Sequence, residues 1–226
     1  MSANKVWMSV IALIALQALC GCANGPTNQL GLVPQHRLDL ATAPRPIVRT
    51  AKPAAAPSIS SSPDLWQTRG YRLWKYIVVH HSATARGNAA SFDQSHRRRG
   101  WDELGYHFVI DNGDGGPDGR IEVGSRWTKQ KWGAHTGGTP NNEYNNHGIG
   151  ICLVGDFSTK MPSRAQIASL ERLVQHLASK YRIDPDNVIG HREGPNATTV
   201  CPGAVFMNWV TRGLRPRLRT QLAAMR

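Results

Sequence analysis

Tyr76-Ile77-Val78-Val79-His80-His81 is the stretch on which the fold turns. A short apolar, β-branched run followed by polar residues predicts a buried strand, and it delivers His80 to the strand's end. The same reading extends along the chain. Tyr106-His107-Phe108-Val109-Ile110 alternates and stops at Asp111-Asn112-Gly113, a strand followed by a turn, and residues 120–123 return as a second strand. Residues 148–154 form another buried strand, and Val188-Ile189-Gly190 a short one that ends at His191. Residues 91–99 predict a helix. Residues 163–182 predict the clearest one, because Ile167, Leu170, Val174, Leu177 and Tyr181 fall on one face. Ser163 and Gln166, just after Pro162, match a capping box. A last helix is expected within 206–225, interrupted around Gly213 and Pro216. Strands and helices are interspersed, so the expected class is α/β: a single domain with a central mixed β-sheet flanked by helices.

The chain has 226 residues, 40% of them hydrophobic and 19% charged, which suits a globular domain with additional segments. Its first 22 residues differ from the rest. Lys5 is followed by an uncharged run from Val6 to Cys22, the pattern of a secretory signal and shorter than the roughly 20 apolar residues a membrane span needs. Leu19-Cys20-Gly21-Cys22 resembles a bacterial lipobox, and Cys22 fits the lipidated position better than Cys20 because Gly21 is small. An ordinary cleaved signal that contains cysteines is the alternative. A lipidated Cys22 tethers the domain to a membrane while leaving it in water, and Ala23 after it is the pattern expected for outer-membrane sorting, facing the periplasm. Residues 23–65 are rich in Ala, Pro, Ser and Thr and read as a tether. The expected organisation is therefore a signal peptide over 1–22, a tether over 23–65 and a domain over 66–226. The formal net charge is +12, and only Lys5 of that charge lies in the first 22 residues. A basic surface suggests a polyanionic partner, either nucleic acid or a cell envelope with its carboxylates and anionic lipids, and the export signal favours the envelope. No nucleic-acid partner is expected. The glycine-rich stretch 113–119 lacks a GKS/T ending and is not a phosphate loop.

Three residues draw attention as metal ligands. His80, His191 and Cys201 each sit where a strand ends or a loop follows, and two imidazoles with one thiolate match the three protein ligands of a catalytic zinc. Spacing alone does not single them out among nine histidines. Their surroundings do. Val78-Val79-His80-His81-Ser82-Ala83-Thr84, Gly105-Tyr106-His107-Phe108-Val109-Ile110, Gly148-Ile149-Gly150-Ile151-Cys152-Leu153-Val154-Gly155, Gly190-His191-Arg192-Glu193 and Cys201-Pro202-Gly203 occur in this order. Together they resemble the zinc-dependent N-acetylmuramoyl-L-alanine amidase superfamily, which includes the phage lysozyme-type amidases and the peptidoglycan recognition proteins. The resemblance covers about residues 72–212.

That resemblance implies one zinc held by His80, His191 and Cys201 in a groove at the strand ends. It implies hydrolysis of the amide between N-acetylmuramic acid and L-alanine in peptidoglycan or muropeptides, in cell-wall turnover or remodelling. Tyr106 matches the family's active-site tyrosine, and Thr199 a position that is lysine in some relatives and threonine in the animal recognition proteins. Both are expected to donate to the oxyanion that forms when water attacks the lactyl carbonyl. His135 and Asn146 match positions that line the substrate groove. His81 is expected on the opposite face of its strand from His80, and His96 and His107 as structural residues. Cys152 lies in an apolar strand as a small buried hydrophobe. The chain departs from relatives whose third ligand is aspartate: those carry a glutamate in the strand and a lysine near the last ligand, where Cys152 and Thr199 stand here. Two alternatives stay open: a module that binds peptidoglycan without cutting it, and a diffusible lytic effector.

Overall fold

The structure is a computed structural model that describes residues 66–68 and 70–225. The expected signal, lipidated Cys22 and tether lie outside the described residues. Strand β1 (Tyr76–His81) lies between β4 (Gly148–Leu153) and the edge strand β5 (Val188–Gly190); beyond β4 lie β2 (Phe108–Ile110) and β3 (Ile121–Val123). The order β3-β2-β4-β1-β5 is parallel throughout except for the β2–β3 hairpin. The sheet is thus mixed, and the expected strands appear, with β2, β3 and β4 one or two residues shorter than expected.

The two faces of the sheet have different tasks. Ile77, Val79, Ile149, Ile151, Phe108 and Ile110 are buried against α4 (Arg164–Tyr181) and the C-terminal helices. On α4, Leu170, Leu173, Val174 and Leu177 are fully buried, with Ile167 and Tyr181 at the margins of the stripe. Burying side chains of this size stabilises by roughly 1.5–3 kcal/mol each. Ser163 caps α4: its hydroxyl accepts the Gln166 N–H, and the Gln166 side chain accepts the Ser163 N–H. The C-terminal helix runs as α5 (Ala204–Trp209), a π turn (Val210–Leu214) and α6 (Arg215–Ala224). The expected interruption at Gly213 is therefore a π turn. Pro216 falls in the first turn of α6, where its fixed φ is tolerated. No helix among the described residues is long and apolar enough to cross a membrane.

The opposite face carries α1 (Ala89–Arg98) at one end, and His80 and Cys152 lie side by side near the C-terminal ends of β1 and β4, where they are register partners. The segments that border this face are latched by charge. Buried Arg126, in α2 (Ser125–Thr128), donates to the carbonyls of Leu104 (2.6 Å) and Trp132 (2.7 Å) and pairs with Asp102. Glu103 accepts from Lys129 (2.9 Å) and the Ser125 hydroxyl and forms an ion pair with Lys131 (3.2 Å). The chain before Tyr106 is thereby fastened to the loop that leads to His135.

Burial alone would push the Glu103 carboxyl upward, but the hydrogen bonds from Ser125, Lys129 and Lys131 outweigh it and bring the pKa down to about 2. Its own side chain is 3% exposed but that of Lys129 is 62% exposed, so solvent screens part of these contacts and the full shift is an upper bound. A depressed carboxylate stabilises the fold fully above its unfolded pKa of about 4.5 and loses that contribution as pH falls toward 2. We expect Glu103→Gln to lower stability at pH 7 by up to about 3 kcal/mol. It should also flatten the acid limb of a urea-denaturation series between pH 5 and pH 2. An unchanged acid limb would remove Glu103 from the latch.

Candidate metal centre

His80, His191 and Cys201 meet beyond the C-terminal ends of β1 and β5. One ligand atom from each lies within 4.8 Å of the others, and His80 Nδ1 is 3.7 Å from Cys201 Sγ. A tetrahedral zinc about 2.3 Å from sulfur and about 2.1 Å from nitrogen would set those two atoms about 3.6 Å apart. The donor set therefore fits a zinc ion. Crevices at the carboxyl ends of parallel strands are where α/β sheets place their ligands.

Each ligand is positioned by a local device. His80 stays in the strand and is buried. His191 begins a short 3-10 turn (His191–Glu193) directly after β5. Glu193 holds that turn, accepting the Gly190 N–H at 2.9 Å while it pairs with Arg215; Arg215 also donates to the Val188 carbonyl at 2.7 Å. Glu193 is thus occupied as an anchor for His191. Cys201 is tied on both sides: its carbonyl accepts the Arg192 N–H (2.8 Å), its sulfur accepts the His81 N–H (3.4 Å), and its own N–H donates to the Thr199 hydroxyl (3.1 Å).

The electrostatics favour a metal over a proton. Burial first, and then the neighbouring His135 and His191, hold the His80 imidazole well below its ordinary pKa, and burial lowers His191 as well. Both rings therefore keep a lone pair free at neutral pH. Burial pushes the Cys201 thiol up to about 12 without a metal; a bound cation inverts that preference and makes a thiolate the stable form. Cys152 and Cys201 are both free and buried, and burial and then Cys201 raise the Cys152 thiol.

Of the remaining expected residues, Tyr106 stands against the cluster, its ring 5.2 Å from that of His80. Burial, followed by the Cys152 and Cys201 thiols, raises its phenol well above the usual value, so it remains a donor at neutral pH. Thr199 is half-buried; its oxygen accepts the Cys201 N–H, which leaves its own O–H to donate. His135 is buried, with ring nitrogens facing His80 and the Gly148 carbonyl. Asn146 ends α3 (Glu143–Asn146); its carbonyl accepts from Arg72 and its side chain donates to the Asn141 carbonyl. The neighbouring Asn145, which sequence reasoning did not single out, is the asparagine that touches the His135 loop, its Oδ1 accepting from His135 N–H and Thr136 N–H. His81 lies on the far face, where its Nδ1 accepts the Phe157 N–H. His107 is structural: it accepts the Gly150 N–H and donates to the Lys131 carbonyl.

If this cluster is the metal centre, Cys201→Ala should reduce the zinc content of the purified full chain from near stoichiometric to a small fraction, by elemental analysis. Cys152→Ala should leave it unchanged. Equal zinc in both variants would place the metal elsewhere.

Comparison with known proteins agrees with this geometry. The family model described as N-acetylmuramoyl-L-alanine amidase matches residues 70–204. A pig protein named N-acetylmuramoyl-L-alanine amidase is 29% identical over 147 residues, 59% of this chain but only 22% of its own length. The endolysin of Escherichia phage T7 is 30% identical over 141 residues, 59% of this chain and 83% of the phage protein. Among solved structures, bumblebee PGRP-SA superposes with a TM-score of 0.52 at 29% identity, covering 63% of this chain and 83% of that one. With a matching model that spans more than half of its residues and a ligand cluster formed by that same stretch, the chain belongs to the N-acetylmuramoyl-L-alanine amidase family.

Proposed function

We propose that this chain is a zinc-dependent amidase that hydrolyses the bond between N-acetylmuramic acid and the first L-alanine of the peptidoglycan stem peptide. The observation that carries the reading is the convergence of His80, His191 and Cys201 with Tyr106 beside them. Zinc bound there supplies a Lewis acid that polarises the amide carbonyl and lowers the pKa of water toward about 7. The protein's own groups do the rest. Tyr106, kept protonated by burial, donates to the oxygen on which negative charge develops, and Thr199 offers a second hydroxyl. Beside them in the sheet lies the buried, uncharged Cys152.

We further propose that the enzyme works in the cell envelope, as an outer-membrane lipoprotein anchored through Cys22 and facing the periplasm, in wall turnover or remodelling. The lipobox-like Leu19-Cys20-Gly21-Cys22 and the Pro/Ala-rich stretch after it support that placement. A second reading, a module that binds peptidoglycan without cutting it, draws on the likeness to the insect recognition protein. The complete ligand triad favours the enzyme.

Incubating the full chain with purified peptidoglycan, with and without a chelator, and reading the products by mass spectrometry separates the two. The amidase releases stem peptides that begin with L-alanine, loses that activity on chelation and regains it with zinc. Intact glycopeptides, with zinc-loaded protein retained on the polymer, would replace the enzyme by the binding module. Within the enzyme reading, Tyr106→Phe should lower kcat by about 100-fold or more while zinc content stays unchanged. Full turnover in that variant would end the oxyanion role of Tyr106.

A further inference from the structure

We propose that His135 is a positioning residue for the metal centre: it fixes His80 as the tautomer with hydrogen on Nε2, so that the Nδ1 lone pair faces Cys201 and the metal. The inference rests on the zinc-centre reading above and is carried by a chain of hydrogen bonds whose directions are set at one end. His135 Nε2 lies 3.2 Å from the Gly148 carbonyl. A carbonyl only accepts, so Nε2 of His135 carries the hydrogen. The polar contacts of the ring are a carbonyl, a hydroxyl and a second imidazole, with no carboxylate to pair with an imidazolium; an uncharged imidazole has one N–H, so His135 Nδ1 is bare. That bare nitrogen lies 3.2 Å from His80 Nε2, which must then be the donor. The other nitrogen of His80 is left with its lone pair, 3.7 Å from Cys201 Sγ. The nearby Thr136 hydroxyl does not compete for His135 Nδ1: it is 3.4 Å away and donates to Asn145 Oδ1 at 3.1 Å.

His135 is built into this position. Asn145 Oδ1 accepts the backbone N–H of His135 (2.8 Å) and of Thr136 (3.0 Å), and Asn145 Nδ2 donates to the Thr136 carbonyl and to Asn142 Oδ1, both at 2.8 Å. The ring lies in a slot between two glycines. A Cβ at Gly150 would stand 2.3 Å from His135 Cδ2, and a Cβ at Gly133 the same distance from it. No residue but glycine leaves that space. The consequence is general for histidine ligands: the partner of the non-ligating nitrogen selects the tautomer and holds the ring's orientation, and its loss typically weakens metal binding by about 10- to 100-fold.

Two readouts that need no turnover test this in the full chain. The first is the 15N NMR signature of the imidazoles in metal-free protein, which reports the tautomer of His80 directly. The second is zinc affinity by competition with a chromophoric chelator. We expect the Nε2–H form of His80 in the wild type. His135→Ala should lose that preference and bind zinc at least about tenfold more weakly. His135→Asn, whose Oδ1 replaces the acceptor Nδ1, should recover most of both. A metal-free wild type with His80 as the Nδ1–H tautomer overturns the proposal without any variant. So does His135→Ala with the wild-type tautomer and affinity. A wild type that takes up no zinc would instead sink the metal centre, and the NMR signature would still decide the direction of the hydrogen-bond chain.

Discussion

Burying an imidazole near the end of a strand is costly unless both of its nitrogens find partners, and that constraint at His80 organises the site. The ring lies among His135, His191, Tyr106 and Cys201, with no carboxylate among its polar contacts. Protonation is therefore disfavoured from every side. One nitrogen is taken by His135, and the other is left for a cation. The neighbours follow from this: a thiol that only a cation would ionise and a phenol that burial keeps protonated.

The scaffold turns that local demand into geometry. Parallel pairing of β1 with β4 and β5 sends three strand ends to the same edge, and the register sets His80 beside Cys152. The apolar face of the same sheet is packed against α4 and the C-terminal helices, which holds the strands in place. Charge does the finer work. Arg126 and Glu103 latch the segments on either side of Tyr106 and His135, and Glu193 with Arg215 pins the turn that presents His191. These contacts tie the segments that carry Tyr106, His135 and His191 to their neighbours.

What was legible in the sequence divides along physical lines. The strands around Val78 and Ile149 and the stripe on α4 were readable because burial writes periodicity into a chain, and the Ser163–Gln166 cap because its partners lie three residues apart. The three candidate ligands stood out by their flanking motifs, and the structure brings their side chains together. Long-range hydrogen bonds to backbone leave no such mark. Nothing adjacent to Asn145 says that it clamps Thr136, or that Arg126 reaches the carbonyls of Leu104 and Trp132. The role of His135 depends on which atom faces which, a fact of three dimensions that spacing does not encode. The π turn at Val210–Leu214 is a similar case: Gly213 announced an interruption, and packing chose its form.

The account stands on one claim, that a single metal ion is held by two imidazoles and one thiolate with a position left open. X-ray absorption at the zinc edge of the loaded full chain measures that directly. The predicted spectrum contains one sulfur at about 2.3 Å, two imidazole nitrogens at about 2.0–2.1 Å and one further light atom. A shell of four sulfurs, or of oxygen and nitrogen with no sulfur, would contradict it.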